Sequence, residues 1–185
     1  MPALSLNRRT MTEPHSSSMR ERSRVDYPSL AWICARPGRF LAFGLGSGLI
    51  RPASGTWGTL AAWVIWLLLP PIPNLAMGIL LALAFAYGCW ACGYAGKELR
   101  VHDHVGMVWD EMVAFWLVLW LVPGGWMAQL LAFVLFRFFD IVKPPPIKTF
   151  DARLSGGFGV MWDDILAAVY ALLVMAFVVR LGVLA

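Results

Sequence analysis

Residues 52–96 contain no Asp, Glu, Lys or Arg, and that run limits the fold more than any other feature of the chain. About 20 predominantly apolar residues suffice for a helix to cross roughly 30 Å of hydrocarbon, so the run is long enough to cross a bilayer twice. Paired core helices of a soluble protein would keep a polar stripe toward water, and the segments LAAWVIWLLLP and LAMGILLALAFAYGCWACG have none. The rest of the 185 residues agree: 59% are hydrophobic and ten are Trp, outside the usual range of a soluble domain. The sequence predicts an all-α, polytopic membrane bundle.

Pro and Gly cut the apolar chain into blocks. The first runs from Trp57 to about Leu69 and stops at Pro70–Pro73; the second runs from Leu75 to about Gly96. After a charged segment come Met112–Val122 and Trp126–Phe136, separated by Pro123, Gly124 and Gly125, and a last block follows Asp163 and Asp164. This predicts four to five membrane-embedded helices, because the short first block either spans or bends back.

Charge sets the expected orientation. The first 51 residues hold eight Arg against Glu13, Glu21 and Asp26, and Lys and Arg are retained on the cytoplasmic side of membranes. Lys97, Arg100, Arg137, Lys143, Lys148 and Arg153 fall on that same side, while the turns PPIPN and PGG are uncharged and outside. Residues 1–36 read as a disordered basic cytosolic arm and 37–185 as the membrane domain. Such an arm suits anionic lipid headgroups. It lacks the basic and aromatic interleaving of a nucleic-acid groove, so no nucleic acid is expected. Cys34, Cys89 and Cys92 make no ligand framework, and the CWAC pair reads as helix packing. The sequence leaves the oligomeric state open, a homo-oligomer included.

The hairpin about Gly124 places residues at equal depth when their numbers sum to 248, which sets Glu111 level with Arg137. At 1.5 Å per residue both lie about 20 Å from the turn, near the cytosolic edge of the hydrocarbon, with Asp140 about one turn away. Ionisable groups at that depth pair, coordinate a cation or line a wet cavity. Asp110, Glu111, Asp140, Asp163 and Asp164 all converge on this level, against Arg137, Lys143 and Arg153. One ion pair would be structural; five carboxylates exceed the cations, and a divalent metal resolves the surplus. Oxygen ligands favour Mg²⁺ or Mn²⁺ over zinc. Adjacent acids point about 100° apart on a helix, so one of each pair is expected at the metal and the other beside it or on a base. His102 and His104 read mainly as loop residues.

Two glycine-rich stretches suit a phosphate. FGLGSGLIRPASGTWGT carries Arg51, Ser54 and Thr56 into the first apolar helix, whose free amides and partial positive charge favour an anion. RLSGGFGVMWDD repeats the design, with Asp163 and Asp164 expected to open the last helix. Lys143 and Lys148 sit on the stiff DIVKPPPIK connector, which is expected to hold them off the helix ends.

GSGLIRPASGTWGTLAA, VWDEMVAFWL, FRFFDIVKPPPIKTFD and GGFGVMWDDILAA occur in this order over about residues 38–180, and together they resemble the phosphatidylglycerophosphatase A family. The resemblance implies a bacterial inner-membrane, Mg²⁺-dependent enzyme that converts phosphatidylglycerophosphate to phosphatidylglycerol and phosphate. By position it puts the family's acidic motif on Asp110 and Glu111, its central motif on Arg137, Asp140 and Lys143, and its last on Asp163 and Asp164. The expected roles are Asp110, Glu111, Asp163 and Asp164 as metal ligands and Asp140 as base toward a metal-activated water. Arg137, Lys143, Arg153, Arg51, Ser54 and Thr56 are expected on the substrate. Direct attack by a carboxylate stays open at this point. The alternatives are an ion- or proton-coupled transporter, which would place its charges near the bilayer midplane, and a non-catalytic scaffold.

Overall fold

The computed structural model describes residues 27–145, 147 and 154–182, and every regular element among them is helical. Two short helices come first: α1 (Leu30–Cys34), capped by the Ser29 hydroxyl accepting from the Trp32 amide at 3.2 Å, and α2 (Pro37–Ala42), with Pro at its first turn. A 3₁₀ segment, Gly44–Leu49, follows. The main helices are α3 (Ser54–Leu68), α4 (Asn74–Leu99), α5 (Trp109–Leu121), α6 (Trp126–Val142) and α7 (Gly156–Arg180). Residues 27–36, assigned to the arm on sequence, include α1, and Ile33 is fully buried against the core. The rest of the arm, Lys148 and Arg153 lie outside the described residues.

The breakers act where the sequence places them on the outer turns. Pro70–Pro73 separates α3 from α4, and Pro123–Gly125 separates α5 from α6. At the charged end the helices run further than the apolar blocks. α5 starts at Trp109 and so takes Asp110 and Glu111 into its first turn; α6 continues through Arg137 and Asp140 to Val142. α7 starts at Gly156, which corrects the expectation that Asp163 and Asp164 open it: both lie about two turns inside. The cause is a close approach. A side chain on Gly157 would sit 1.8 Å from the Cys89 carbonyl oxygen, so the glycines belong to the α4–α7 seam and not to a flexible lead-in.

α5 and α7 form the centre. α4 packs on α7 and α5, α3 on α5, and α6 chiefly on α7. Small residues let the backbones close up: Gly88, Ala91, Ala95 and Gly96 on α4, and Gly157, Gly159, Ala167, Ala168 and Ala171 on α7 are buried, as in membrane helix seams, where lipid supplies no hydrophobic drive and van der Waals fit decides. Indoles packed between helices find acceptors: Trp109 donates to the Ala84 carbonyl (3.1 Å), and the half-buried Trp116 and Trp63 donate to the Ala62 carbonyl (2.9 Å) and Gln129 Oε1 (2.7 Å). The outward faces stay apolar, with Leu75, Leu83, Val134, Ile141, Leu173 and Phe177 all exposed. α4 and α7 are each long and apolar enough to cross a membrane, and α3 is a shorter apolar helix.

Candidate active site

The first turn of α5, the last turns of α6 and the second and third turns of α7 meet at one end of the bundle. Asp110, Glu111 and Asp164 each offer an oxygen there, all within 4.8 Å of one another. Asp110 and Asp164 are buried and have no Lys or Arg at ion-pair distance among the described residues. Arg137 Nη1 lies 3.3 Å from Glu111 Oε1, as the hairpin reflection requires, and 2.6 Å from Asp140 Oδ2. Lys143 Nζ pairs with Asp163 Oδ2. The neighbouring acids of α7 therefore part, Asp164 toward the cluster and Asp163 toward a base. On α5 both acids reach the cluster.

Lys143 corrects one expectation. It is not carried away by the proline connector: its left-handed backbone (φ 44°) ends α6 and turns the ammonium back to α7. Pro144 follows it directly, and proline cannot continue the helix.

The start of α3 closes the site. A Cβ on Gly55 would lie 1.9 Å from Glu111 Oε1 and 2.9 Å from Arg137 Nη2, so only glycine lets this helix touch the ion pair. Thr59, fully buried one turn on, donates to the Gly55 carbonyl (2.8 Å) and accepts from Arg137 Nη1 (3.4 Å). Sequence reasoning did not single out Gly55 or Thr59. The available signal was the small-residue face Ser54, Gly55, Gly58, Thr59, spaced as one side of a helix.

The expected anion-binding residues are less uniform. The Ser54 hydroxyl donates to the Val105 carbonyl, and Thr56 is half-buried. Arg51 is exposed, its guanidinium 3.5 Å above the Tyr27 ring. His102 Nε2 accepts from the Gly156 amide (2.7 Å), and His104 Nδ1 from Gly106 (3.0 Å) while its ring packs on Tyr27 and Phe43. Neither histidine belongs to the acidic cluster. The three cysteines are free.

The cluster fits a hard divalent cation. Five carboxylates (Asp110, Glu111, Asp140, Asp163, Asp164) face two cations (Arg137, Lys143), and Asp110 Oδ1 and Glu111 Oε2 are buried without a hydrogen-bond partner among the described residues. Burying such charge uncompensated is costly. Oxygens bound to one ion at about 2.0–2.6 Å stand no more than about 4–5 Å apart, and the three oxygens here meet that limit. An all-oxygen donor set suits Mg²⁺ or Mn²⁺.

A family model described as phosphatidylglycerophosphatase A matches residues 40–179. A Haemophilus influenzae phosphatidylglycerophosphatase A is 47% identical over 141 residues, 75% of this chain and 86% of that protein. An Escherichia coli phosphatidylglycerophosphatase A is 37% identical over 145 residues, 78% and 84% of the two chains. A Bacteroides thetaiotaomicron protein, named provisionally as a phosphatidylinositol-3-phosphatase, is 39% identical over 141 residues, 72% and 87%. No solved structure matches. The transporter alternative finds no support in these relatives. By the extent of the family match and of these identities, the chain belongs to the phosphatidylglycerophosphatase A family.

Proposed function

We propose that the protein hydrolyses the terminal phosphomonoester of phosphatidylglycerophosphate at the cytoplasmic face of a bacterial inner membrane, using Mg²⁺. The observation that carries this reading is the mutual approach of Asp110, Glu111 and Asp164 oxygens to within 4.8 Å. Family membership supplies the reaction, and the surplus of carboxylates supplies the need for a cation.

Asp110, Glu111 and Asp164 hold the ion, and Asp163 stands beside them on Lys143. When bound, Mg²⁺ supplies positive charge to the phosphate oxygens and lowers the cost of activating water. The chain's own residues do the rest. Arg137 fixes Asp140 through Oδ2, leaving Oδ1 to take a proton from the attacking water. The water oxygen bonds to phosphorus as the glycerol oxygen leaves. That oxygen takes a proton from solvent, and Asp140 then releases its own. Arg137, Lys143 and Arg153 offset the charge that develops, which is where preorganised cations act most strongly. Arg51, Ser54 and Thr56 contribute at the glycine-rich edge of the site.

The test is phosphate release from the lipid by purified full-length protein, with Mg²⁺ and after chelation. Activity is expected to vanish with chelator and return with Mg²⁺. Asp110→Asn and Asp164→Asn are each expected to lower turnover by about two orders of magnitude, the scale on which a preorganised charge acts. Near wild-type turnover in either correctly inserted variant overturns the assignment. Comparing phosphatidylglycerophosphate with phosphatidylinositol 3-phosphate settles the headgroup, since a relative is named for the latter.

A further inference from the structure

α4 and α7 run past the acidic cluster toward the charged end of the bundle, and between their overhanging ends lies a groove of about 560 Å³. Its basic lining is Lys97 and Arg100; its apolar wall is Cys89, Trp90 and Tyr94; its floor includes Gly156 and Gly157 at the start of α7. Lys97 and Arg100 are exposed and form no ion pair among the described residues. Arg39 nearby is different, being held by both oxygens of Glu98 at 2.6 and 2.8 Å.

The wall is preformed. Trp90 and Tyr94 stack at 5.5 Å between centroids and 11° between planes, and the Tyr94 hydroxyl donates to Glu98 (2.9 Å), which in turn holds Arg39 of α2. Gly38 of α2 lies against the Trp90 ring, where a Cβ would come within 2.9 Å. Trp90 still leaves 53% of its surface exposed on the outer face, a placement suited to the membrane boundary, where aromatic rings sit at headgroup level. Two cations that form no ion pair among the described residues, above an apolar shelf at that level, match a phospholipid: an anionic phosphate for the bases and a hydrocarbon chain for the shelf. Basic pockets between membrane helices take lipid headgroups in this way. A soluble anion would leave the shelf unused.

The groove is separate from the acidic cluster. Gly88 of α4 abuts Trp109, the neighbour of Asp110, and Lys97 lies nine residues further along the same helix, about 13 Å by helical rise. We propose that this groove binds an anionic phospholipid of the surrounding bilayer, its phosphate held by Lys97 and Arg100 and its upper acyl chain lying on Trp90.

The test uses the full chain in nanodiscs of phosphatidylcholine doped with phosphatidylserine, which is anionic and carries no phosphomonoester, with retained lipid counted by native mass spectrometry. Wild type is expected to retain phosphatidylserine in preference to phosphatidylcholine. The double variant Lys97→Gln, Arg100→Asn is expected to lose that retention by roughly 25-fold, about fivefold per basic side chain, with hydrolysis of a short-chain soluble substrate unchanged. Asn is chosen because Arg100 ends α4 with φ 56°, a conformation Asn tolerates. Lys97→Gln alone, at an exposed helical position, is expected to lose about fivefold and serves if the pair does not fold. Equal retention in variant and wild type, or no preference for phosphatidylserine, overturns the proposal. So does inorganic phosphate binding that depends on Lys97 and Arg100 while phosphatidylserine is not retained.

Discussion

Gly55 carries more of the site than its size suggests, because Glu111 Oε1 occupies the space a methyl group would need. Overpacking of this kind costs about 1–3 kcal/mol when neighbours must shift, and here the nearest neighbour is a proposed metal ligand. Gly55→Ala is therefore expected to displace Glu111 and weaken Mg²⁺ dependence, read as a rise in the Mg²⁺ concentration for half-maximal phosphate release. Gly124→Ala, with nothing within 4 Å of its Cβ, should behave as wild type. Arg137 presents the reverse case. Its Nη1 serves Glu111, Asp140 and Thr59 together, and removing one member of a buried pair costs about 3–5 kcal/mol because the partner charge stays behind. Arg137→Met is expected to melt at a clearly lower temperature in detergent than wild type. Adding Glu111→Gln should recover part of that loss without recovering activity. If Arg137→Met melts like wild type, the pair is not holding these helices together.

At the scale of the helices, α7 shows where sequence legibility ended. The turns at Pro70–Pro73 and Pro123–Gly125 were readable because proline cannot continue a helix; Gly124 and Gly125 have open space around them. The glycines before Asp163 have the same composition and the opposite role, and only the Cys89 carbonyl facing Gly157 reveals it. The Glu111–Arg137 pairing was legible because a tight hairpin fixes depth along its two arms. The Lys143–Asp163 pair and the Thr59 contact depend on how α7 and α3 are rotated about their axes, which no turn length encodes. Gly157→Val therefore tests the element directly. Its Cβ would meet backbone, which cannot swing aside, so α7 should part from α4 and carry Asp164 out of the cluster. Loss of thermal stability together with loss of Mg²⁺-dependent turnover is the expected result, and a stable, active Gly157→Val protein would contradict this account of the seam.

For the whole molecule, helix length and charge together set how it sits in a bilayer. α3 (15 residues), α5 (13) and α6 (17) are about 20–25 Å long, while α4 (26) and α7 (25) reach about 38 Å. At one end α4 and α5 start and stop together, Trp120 donating to Asn74 (3.3 Å) beside Pro70–Pro73, so the difference in length appears at the other end. There α3 begins at Ser54, α5 begins at Trp109 and α6 ends at Val142, while α4, whose Gly88 abuts Trp109, continues to Lys97 and its C-cap Arg100. The acids are thus recessed below the ends of the long helices. Arg39, Arg51, Lys97, Arg100, Arg137 and Lys143 all belong to this end, and Arg180 alone among the described Lys and Arg residues belongs to the opposite one. Inverting the protein would carry that cationic end across the bilayer against the bias that retains Lys and Arg in the cytoplasm. A single cysteine at Pro71 or Gly124, in a chain with Cys34, Cys89 and Cys92 replaced, should therefore react with an impermeant maleimide added outside intact spheroplasts. A cysteine at the exposed Val105, whose carbonyl takes the Ser54 hydroxyl at the start of α3, should react only after the membrane is opened. Labelling of Val105→Cys from outside would place the acids on the wrong side for a lipid phosphate presented in the cytoplasm.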